Sequence, residues 1–582
     1  MVGFAPTVVW WTARSGQGLY QSGDVGGGGI RVTEQAAPAA ALQPAPSGVV
    51  AFVGRTLRGP VDTPVAVRSF SEFERAFGGL WQPAPLSYLV AHFFANGGSE
   101  AVVVRVVNAA RPATLALPTA ASSVTLAASS GPAWCLAARH PGTREFLRVA
   151  VDYDGLGADE TDEFNLLVQR LRSAGSEVVD AQEYHLRVSA VPGTPRFLGD
   201  LLEGSALVRC VQAAPGKRPL ATPARQWVIS RPDGDDGLPP TDHDLIGSRD
   251  ARTGIFSLVE TSFQWLVLPP RDRELPVGAA AWFVAARFCA EQQAMVLVDP
   301  PAEWGSAGEA LHALAAWPLR SPSAAMWFPW ITVHDPLRNE VARFPPSGAV
   351  AGMLSRQECQ QAPWQEAAQG QALPPLRPGH GLALTVSPLE RVRLGALGVN
   401  VPSTVRVPRG HCPPQVTLAA PVARSPYAGR LLYQRRLQAL GEALLRGTRW
   451  VLFLAEPGGN VVWRQVARQV GEWLARSTGR DSGAEAGWFV VCDRRLNPEE
   501  AGSRGLRFLF GLRDPVSEEW HAFLVSHTAG GSELRPASLN SWALPRRQTA
   551  DAAADGRASA PADSRQTAGV AARLAAGVKP SP

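Results

Sequence analysis

Apolar positions follow two rhythms along this chain, and the stretch Gly48 to Asn108 shows both. Gly48 to Gly54 (GVVAFVG) is a short β-rich apolar run, Gly59-Pro60 marks a turn, and Pro64 to Val67 predicts a second short strand. Ser69 precedes a segment with Phe70, Phe73 and Phe77 at helical spacing, with Ser71 and Glu72 near its start and Gly78-Gly79 at its end. Leu86 to Phe94 is apolar almost all round and predicts a buried helix stopped at Asn96-Gly97-Gly98. Ala101 to Val107 is a Val-rich strand containing Arg105. Its two apolar faces predict a covered α/β sheet.

The same α/β rhythm returns from Asp244 to Trp304. Phe263 to Pro270 and Ala294 to Val298 predict strands, the second ending at Asp299-Pro300-Pro301, and Ala279 to Glu291 predicts a helix. Between these regions, Arg111 to about Leu238 has short apolar runs separated by turn residues and reads as β-rich. Arg231 to Pro240, with Asp233, Asp235 and Asp236, reads as a solvated acidic linker back to the core, because its spacing lacks the terminal Glu of a calcium loop. Further on, Tyr427 to Leu445 predicts an amphipathic helix with Tyr433, Leu437, Leu440 and Leu444 on one face and Arg435, Arg436 and Glu442 off it. Arg449 to Glu456 predicts a strand, Val461 to Arg476 a second helix, and Trp488 to Asp493, Leu506 to Leu512 and Trp520 to His527 three strands.

Composition sharpens this picture. A chain of 582 residues exceeds one ordinary core, and 45% hydrophobic with 18% charged residues describes globular domains. The 18 tryptophans favour large buried contacts, interfaces included. The net charge of +5 is small for this length, and no basic run with interleaved aromatics points to nucleic acid. Six scattered cysteines (Cys135, Cys210, Cys289, Cys359, Cys412 and Cys492) without C-x-x-C read as free thiols. No basic region precedes the apolar Val8 to Trp11, and no apolar stretch is long enough to span a bilayer. The expectation is a protein made in the cytoplasm without membrane insertion.

Three blocks in series carry a family resemblance: AFVG with Gly59-Pro60, then Ser69 to Gly78 (SFSEFERAFG), then Tyr88 to Val106 with FFANGG and VVVRV. Trp327-Phe328-Pro329-Trp330, His334-Asp335-Pro336, Pro345 to Gly352 (PPSGAVAG), Gly398 to Pro402, Gly447 to Val451 and Val491-Cys492-Asp493 add to them. In this order the chain resembles contractile tail sheath proteins of phage tails, tailocins and related injection systems. The resemblance implies an α/β (α+β) multidomain fold. It implies an extended arm over 1–47, a core over 48–110 and 239–414, an outward-facing β-rich insertion over 111–238, and a C-terminal domain over 415–529 with a terminal strand. Residues 530–582 are read as a disordered tail, poor in aromatics.

The implied function is that of a structural subunit, polymerising in stacked rings around an inner tube protein, with baseplate and cap proteins and a second sheath paralogue as further partners. Strand exchange between subunits is expected at Ile30, Arg31, Val32 and Thr33 in the arm and at Ala522, Phe523, Leu524, Val525 and Ser526 near the C-terminal end. Catalytic, cofactor and metal residues are expected to be none. Gly26 to Gly29 lacks the G-K-[ST] of a phosphate loop, the ten histidines are dispersed, and Ser347 is not in a G-x-S-x-G elbow. Two alternatives stay open: an α/β hydrolase-like or nucleotide-binding enzyme, resting on the buried strands and on Asp299, and a baseplate- or cap-proximal sheath paralogue. Asp299 itself reads as a capping residue before proline.

Overall fold

Seven strands form the central sheet, in the spatial order Val399–Asn400, Ala324–Trp327, Met295–Val298, Trp265–Val267, Val49–Gly54, Glu100–Arg105 and Val65–Val67. All neighbours run parallel except the last pair. The computed structural model describes residues 42, 47–119, 133–157, 159–273, 275–361, 373–406, 414–422, 429–453, 460–478, 487–497, 505–513, 520–528 and 531–537. Strand alternation explains why the apolar runs are continuous. Val49, Ala51 and Val53 face the layer that holds helix Ala279–Glu291, whereas Val50 and Phe52 face the layer of helices Phe70–Phe77, Pro85–Ala95 and Ser347–Gln360. Both faces are covered, as a parallel sheet requires, and the fold is mixed α/β as the sequence indicated.

Local chemistry sets these elements. The Ser69 side chain accepts the Glu72 N–H, and Gly78 closes the first helix in a left-handed conformation. The PPSGAVAG block has a packing reason. A side chain at Gly348 would collide with the Leu89 backbone, and one at Gly352 with the Phe93 carbonyl. Glycines one helical turn apart therefore let helix Ser347–Gln360 lie directly on helix Pro85–Ala95.

Between residues 114 and 229 lie two antiparallel sheets. One contains Thr114–Leu117, Trp134–Ala138 and Val208–Gln212, the other Phe146–Asp152, Glu163–Leu171, Val179–Ser189 and Val228–Ile229. Leu115, Trp134, Val149, Phe164 and Val168 share their core. The acidic stretch after this region is solvated, as expected, and its carboxylates also hold backbone groups. Asp233 accepts the Thr114 N–H at 2.8 Å, Asp236 accepts the Thr143 N–H and hydroxyl at 2.8 Å each, and Asp235 accepts the Gly237 N–H at 2.9 Å. Arg105, buried inside its strand, ties the same region to the core by donating to the Gly59 and Pro141 carbonyls, both at 2.8 Å. Burial lowers its guanidinium pKa to about 10, against the pull of Glu145 and Asp236.

The C-terminal region holds helices Leu431–Gly447 and Asn460–Thr478 and an antiparallel sheet in the order Trp488–Val491, Gly505–Arg513, Trp520–Thr528 and Gly531–Ala537. Two expectations need correction here. Arg449–Phe453 is a 3₁₀ turn rather than a strand, because a short apolar run cannot by periodicity be told from a buried helical turn. The sheet continues through Gly531–Ala537, past the expected boundary at 529. That strand is poor in apolar residues, but its Leu534 packs against the C-terminal core. Arg435 and Glu442, set off the apolar stripe of a helix read as amphipathic, are buried too.

Candidate functional site at the arm root

Ahead of strand Val49–Gly54, Leu42 and Gly48 are each anchored by residues far along the chain. Leu42 is buried in the C-terminal core, over Gly447, where any Cβ would collide with it. Six residues on, Gly48 is held at both backbone groups by helix Ser347–Gln360. Its N–H donates to Glu358 Oε2 at 3.0 Å and its carbonyl accepts the Ser355 hydroxyl at 2.6 Å. Its φ of +81° and a hypothetical Cβ only 3.0 Å from Ser355 make glycine the fitting residue there. The next residue, Val49, donates its N–H to Gln264 Oε1 at 3.0 Å.

The C-terminal domain meets these groups through one face of helix Leu431–Gly447. Arg435 Nε donates to Glu358 Oε1 at 2.8 Å, and the two side chains are 2% and 7% exposed. Arg435 Nη1 also donates to Gln438 Oε1 at 2.9 Å, its guanidinium lies 5.2 Å from the Trp265 ring centroid, and Gln438 Nε2 donates to the Ala294 carbonyl at 3.0 Å. One turn further, Glu442 accepts the Ser262 hydroxyl at 3.0 Å and Gln264 Nε2 at 3.3 Å, and pairs with Arg446 at 2.9 Å. Burial raises the Glu442 pKa, opposed by Arg446, Arg435 and these hydrogen bonds. The junction is thus a buried polar network whose members satisfy one another. Such networks lose heavily when one partner is removed.

A second chain of hydrogen bonds fastens the final strand. Thr448 Oγ1 donates to the Leu444 carbonyl at 2.6 Å, so its oxygen accepts from His527 Nε2 at 2.7 Å, and His527 Nδ1 accepts from the Ser532 hydroxyl at 2.7 Å. Burial, helped by Arg449, lowers the His527 pKa to about 4, so this imidazole is neutral.

The residues expected to exchange strands fall in two places. Ile30, Arg31, Val32 and Thr33 lie outside the described residues. Ala522, Phe523, Leu524, Val525 and Ser526 lie in an interior strand, not at an unpaired edge as expected: Ala522 opposes Gly511 on one side and Ala537 on the other. Their backbone groups face strands of their own chain on both sides, because the sheet acquires Gly531–Ala537 as an outer member. The polar junction escaped the sequence reading. Its signal was present in Arg435, Gln438 and Glu442, spaced three and four apart opposite the leucine face, but polar spacing alone does not distinguish a solvated face from a buried one. Asp299 reaches beyond its own loop rather than closing it as expected: it accepts the Ser347 N–H at 3.0 Å and the Ser347 hydroxyl at 2.7 Å, at the start of a helix 48 residues later. Among the described residues, no three His, Cys, Asp or Glu side chains gather as a metal site. None of the described helices is long and apolar enough to cross a membrane.

No protein-family model matches the chain, and no curated protein does either. Solved structures do. A sheath tail protein from Listeria innocua superposes with a TM-score of 0.53 at 11% identity, covering 86% of this chain and 96% of that one. A sheath tail protein from Desulfitobacterium hafniense gives 0.49 at 10% identity, over 86% of this chain and 100% of that one. The contracted helical sheath of the anti-feeding prophage gives 0.41 at 13% identity, over 81% and 89%. The chain has the fold of the sheath tail proteins, on the strength of the Listeria match along nearly its whole length.

Proposed function

We propose that the chain is a structural subunit of a contractile sheath, which polymerises in rings around an inner tube and shortens to drive that tube through a target envelope. The observation that supports this most is the shared fold with the Listeria sheath tail protein over 96% of that chain. The arm root adds to it. A segment anchored at Leu42 in the C-terminal core and at Gly48 on helix Ser347–Gln360 is suited to carry tension from a neighbouring copy into both. In this reading the arm residues Ile30 to Thr33 donate a strand to a neighbour's C-terminal sheet, and Ala522 to Ser526 form the interior of the receiving sheet. Among the described residues, strand Trp488–Val491 pairs on one side only and is the receiving edge, while Pro536 blunts the opposite edge.

Each core then moves as a rigid body about its strand joints. A preference of only about 1 kcal/mol per contact for the contracted lattice, summed over many identical contacts, is enough to do mechanical work without nucleotide. Inner tube, baseplate and cap proteins are the partners this reading requires. Electron microscopy of the purified full chain tests it: tubes or stacked rings are expected, and removal of Met1 to Ala41, which keeps the buried Leu42, should leave folded protein without tubes. Tubes persisting in the deletion would remove the arm from the mechanism, and a small discrete oligomer from the intact chain would remove the sheath reading.

A further inference from the structure

At the opposite end of the central sheet from the arm root, a cavity of about 160 Å³ opens at the carboxyl ends of strands Trp265–Val267 and Met295–Val298. Crevices at that end of open parallel sheets are where α/β folds receive ligands. The volume is close to that of a cavity able to hold a single benzene ring. Its walls include four aromatic side chains, Trp282, Phe283, Trp317 and Trp330, and two carboxyl groups, Asp299 and Glu303. Arg273 also lines it, but that guanidinium already donates to Asp335 at 2.9 Å. The nearby helix N-terminus, which would favour an anion, is already answered by Asp242, which accepts the Gly278 N–H at 3.0 Å.

We propose that this cavity binds a small organic cation, the quaternary or alkylated ammonium head of a free solute. Aromatic side chains attract such a head through the negative faces of their rings, and the head sheds its water more readily than a compact ion does; the Trp330 ring already has Arg343 5.9 Å from its centroid, which leaves Trp282, Phe283 and Trp317 to this role. Asp299 supplies the charge at depth. Among the described residues Ser347 alone holds it, and burial raises its pKa to about 7 despite those two hydrogen bonds, the state of a carboxyl without a cation beside it. Glu303 adds a second carboxyl to the wall, and Phe283, 46% exposed, stands where a ligand would cover it.

Calorimetric titration of the full chain with choline tests this, set against the uncharged isostere in which a tert-butyl group replaces the trimethylammonium. Saturable choline binding is expected, with the isostere weaker by about tenfold or more, because only the cation gains from ring faces and carboxylate. Phe283→Ala should weaken choline several-fold without affecting the fold, since that ring is at the surface. Asp299→Asn, which keeps an oxygen for Ser347, should bring choline close to the isostere. No saturable choline binding up to about 50 mM, a range that reaches weak millimolar affinities, overturns the proposal. Equal binding of choline and isostere also overturns it, by making the cavity merely apolar. If Asp299→Asn does not fold, the isostere comparison and Phe283→Ala decide the matter between them.

Discussion

Arg435 and Glu358 meet at 2.8 Å in the interior, and the second carboxylate oxygen of Glu358 takes the N–H of Gly48. One carboxylate therefore joins Gly48 at the start of the first strand, the core helix Ser347–Gln360 that carries it and helix Leu431–Gly447.

Removing one partner of this pair is expected to do more harm than removing both charges. Arg435→Met should destabilise the chain by about 3–5 kcal/mol, because it leaves a buried carboxylate unpaired. Adding Glu358→Gln, which still accepts from Gly48, should restore part of that loss. Denaturant titration of the two single variants and the double variant measures the coupling. Strict additivity would show that the two side chains do not act as a pair.

The close approach of helices Ser347–Gln360 and Pro85–Ala95 predicts a sharp contrast between two glycines. Gly352→Ala would push a methyl group into the Phe93 carbonyl and should cost about 1–3 kcal/mol or more. Gly395→Ala, in a helix with open space around it, should be neutral or stabilise by about 0.5–1 kcal/mol. Melting temperatures of the two variants check this, and similar values would contradict the packing account.

Acid should loosen the final strand. The His527 pKa falls from its ordinary 6.5 to about 4 on folding, so between those values the unfolded chain binds the additional proton. Stability from this group is present above pH 6.5 and is lost as the pH falls towards 4. Protonation would also turn Nδ1 from acceptor to donor, so the Ser532 hydroxyl would have to reverse its bond to the ring. Hydrogen exchange of Gly531–Ala537 should quicken over that range in the parent protein, and His527→Gln should flatten the dependence. An unchanged pH profile in the variant would rule out His527 as its source.

The C-terminal boundary can be tested by truncation. A chain ending at Ala537 should melt like the full chain. One ending at Thr528 loses Ser532 and Leu534 and leaves strand Trp520–Thr528 with an open apolar edge, so it should melt lower and aggregate. Light scattering during a thermal ramp distinguishes the two, and identical behaviour would make the final strand dispensable.

Local pattern alone determined the covered α/β sheet and helix Ala279–Glu291 to the residue. Those features arise from apolar periodicity and short-range caps, which neighbouring residues encode. Tertiary structure alone decided that Arg435 and Glu442 are buried, that Asp299 caps a remote helix, and that Gly531–Ala537 closes the sheet beside Ala522 to Ser526. The reason is range. Gly48 and Glu358 stand 310 residues apart and Glu358 and Arg435 stand 77 apart, so whether a polar side chain meets water or a partner is set by contacts that no local window contains.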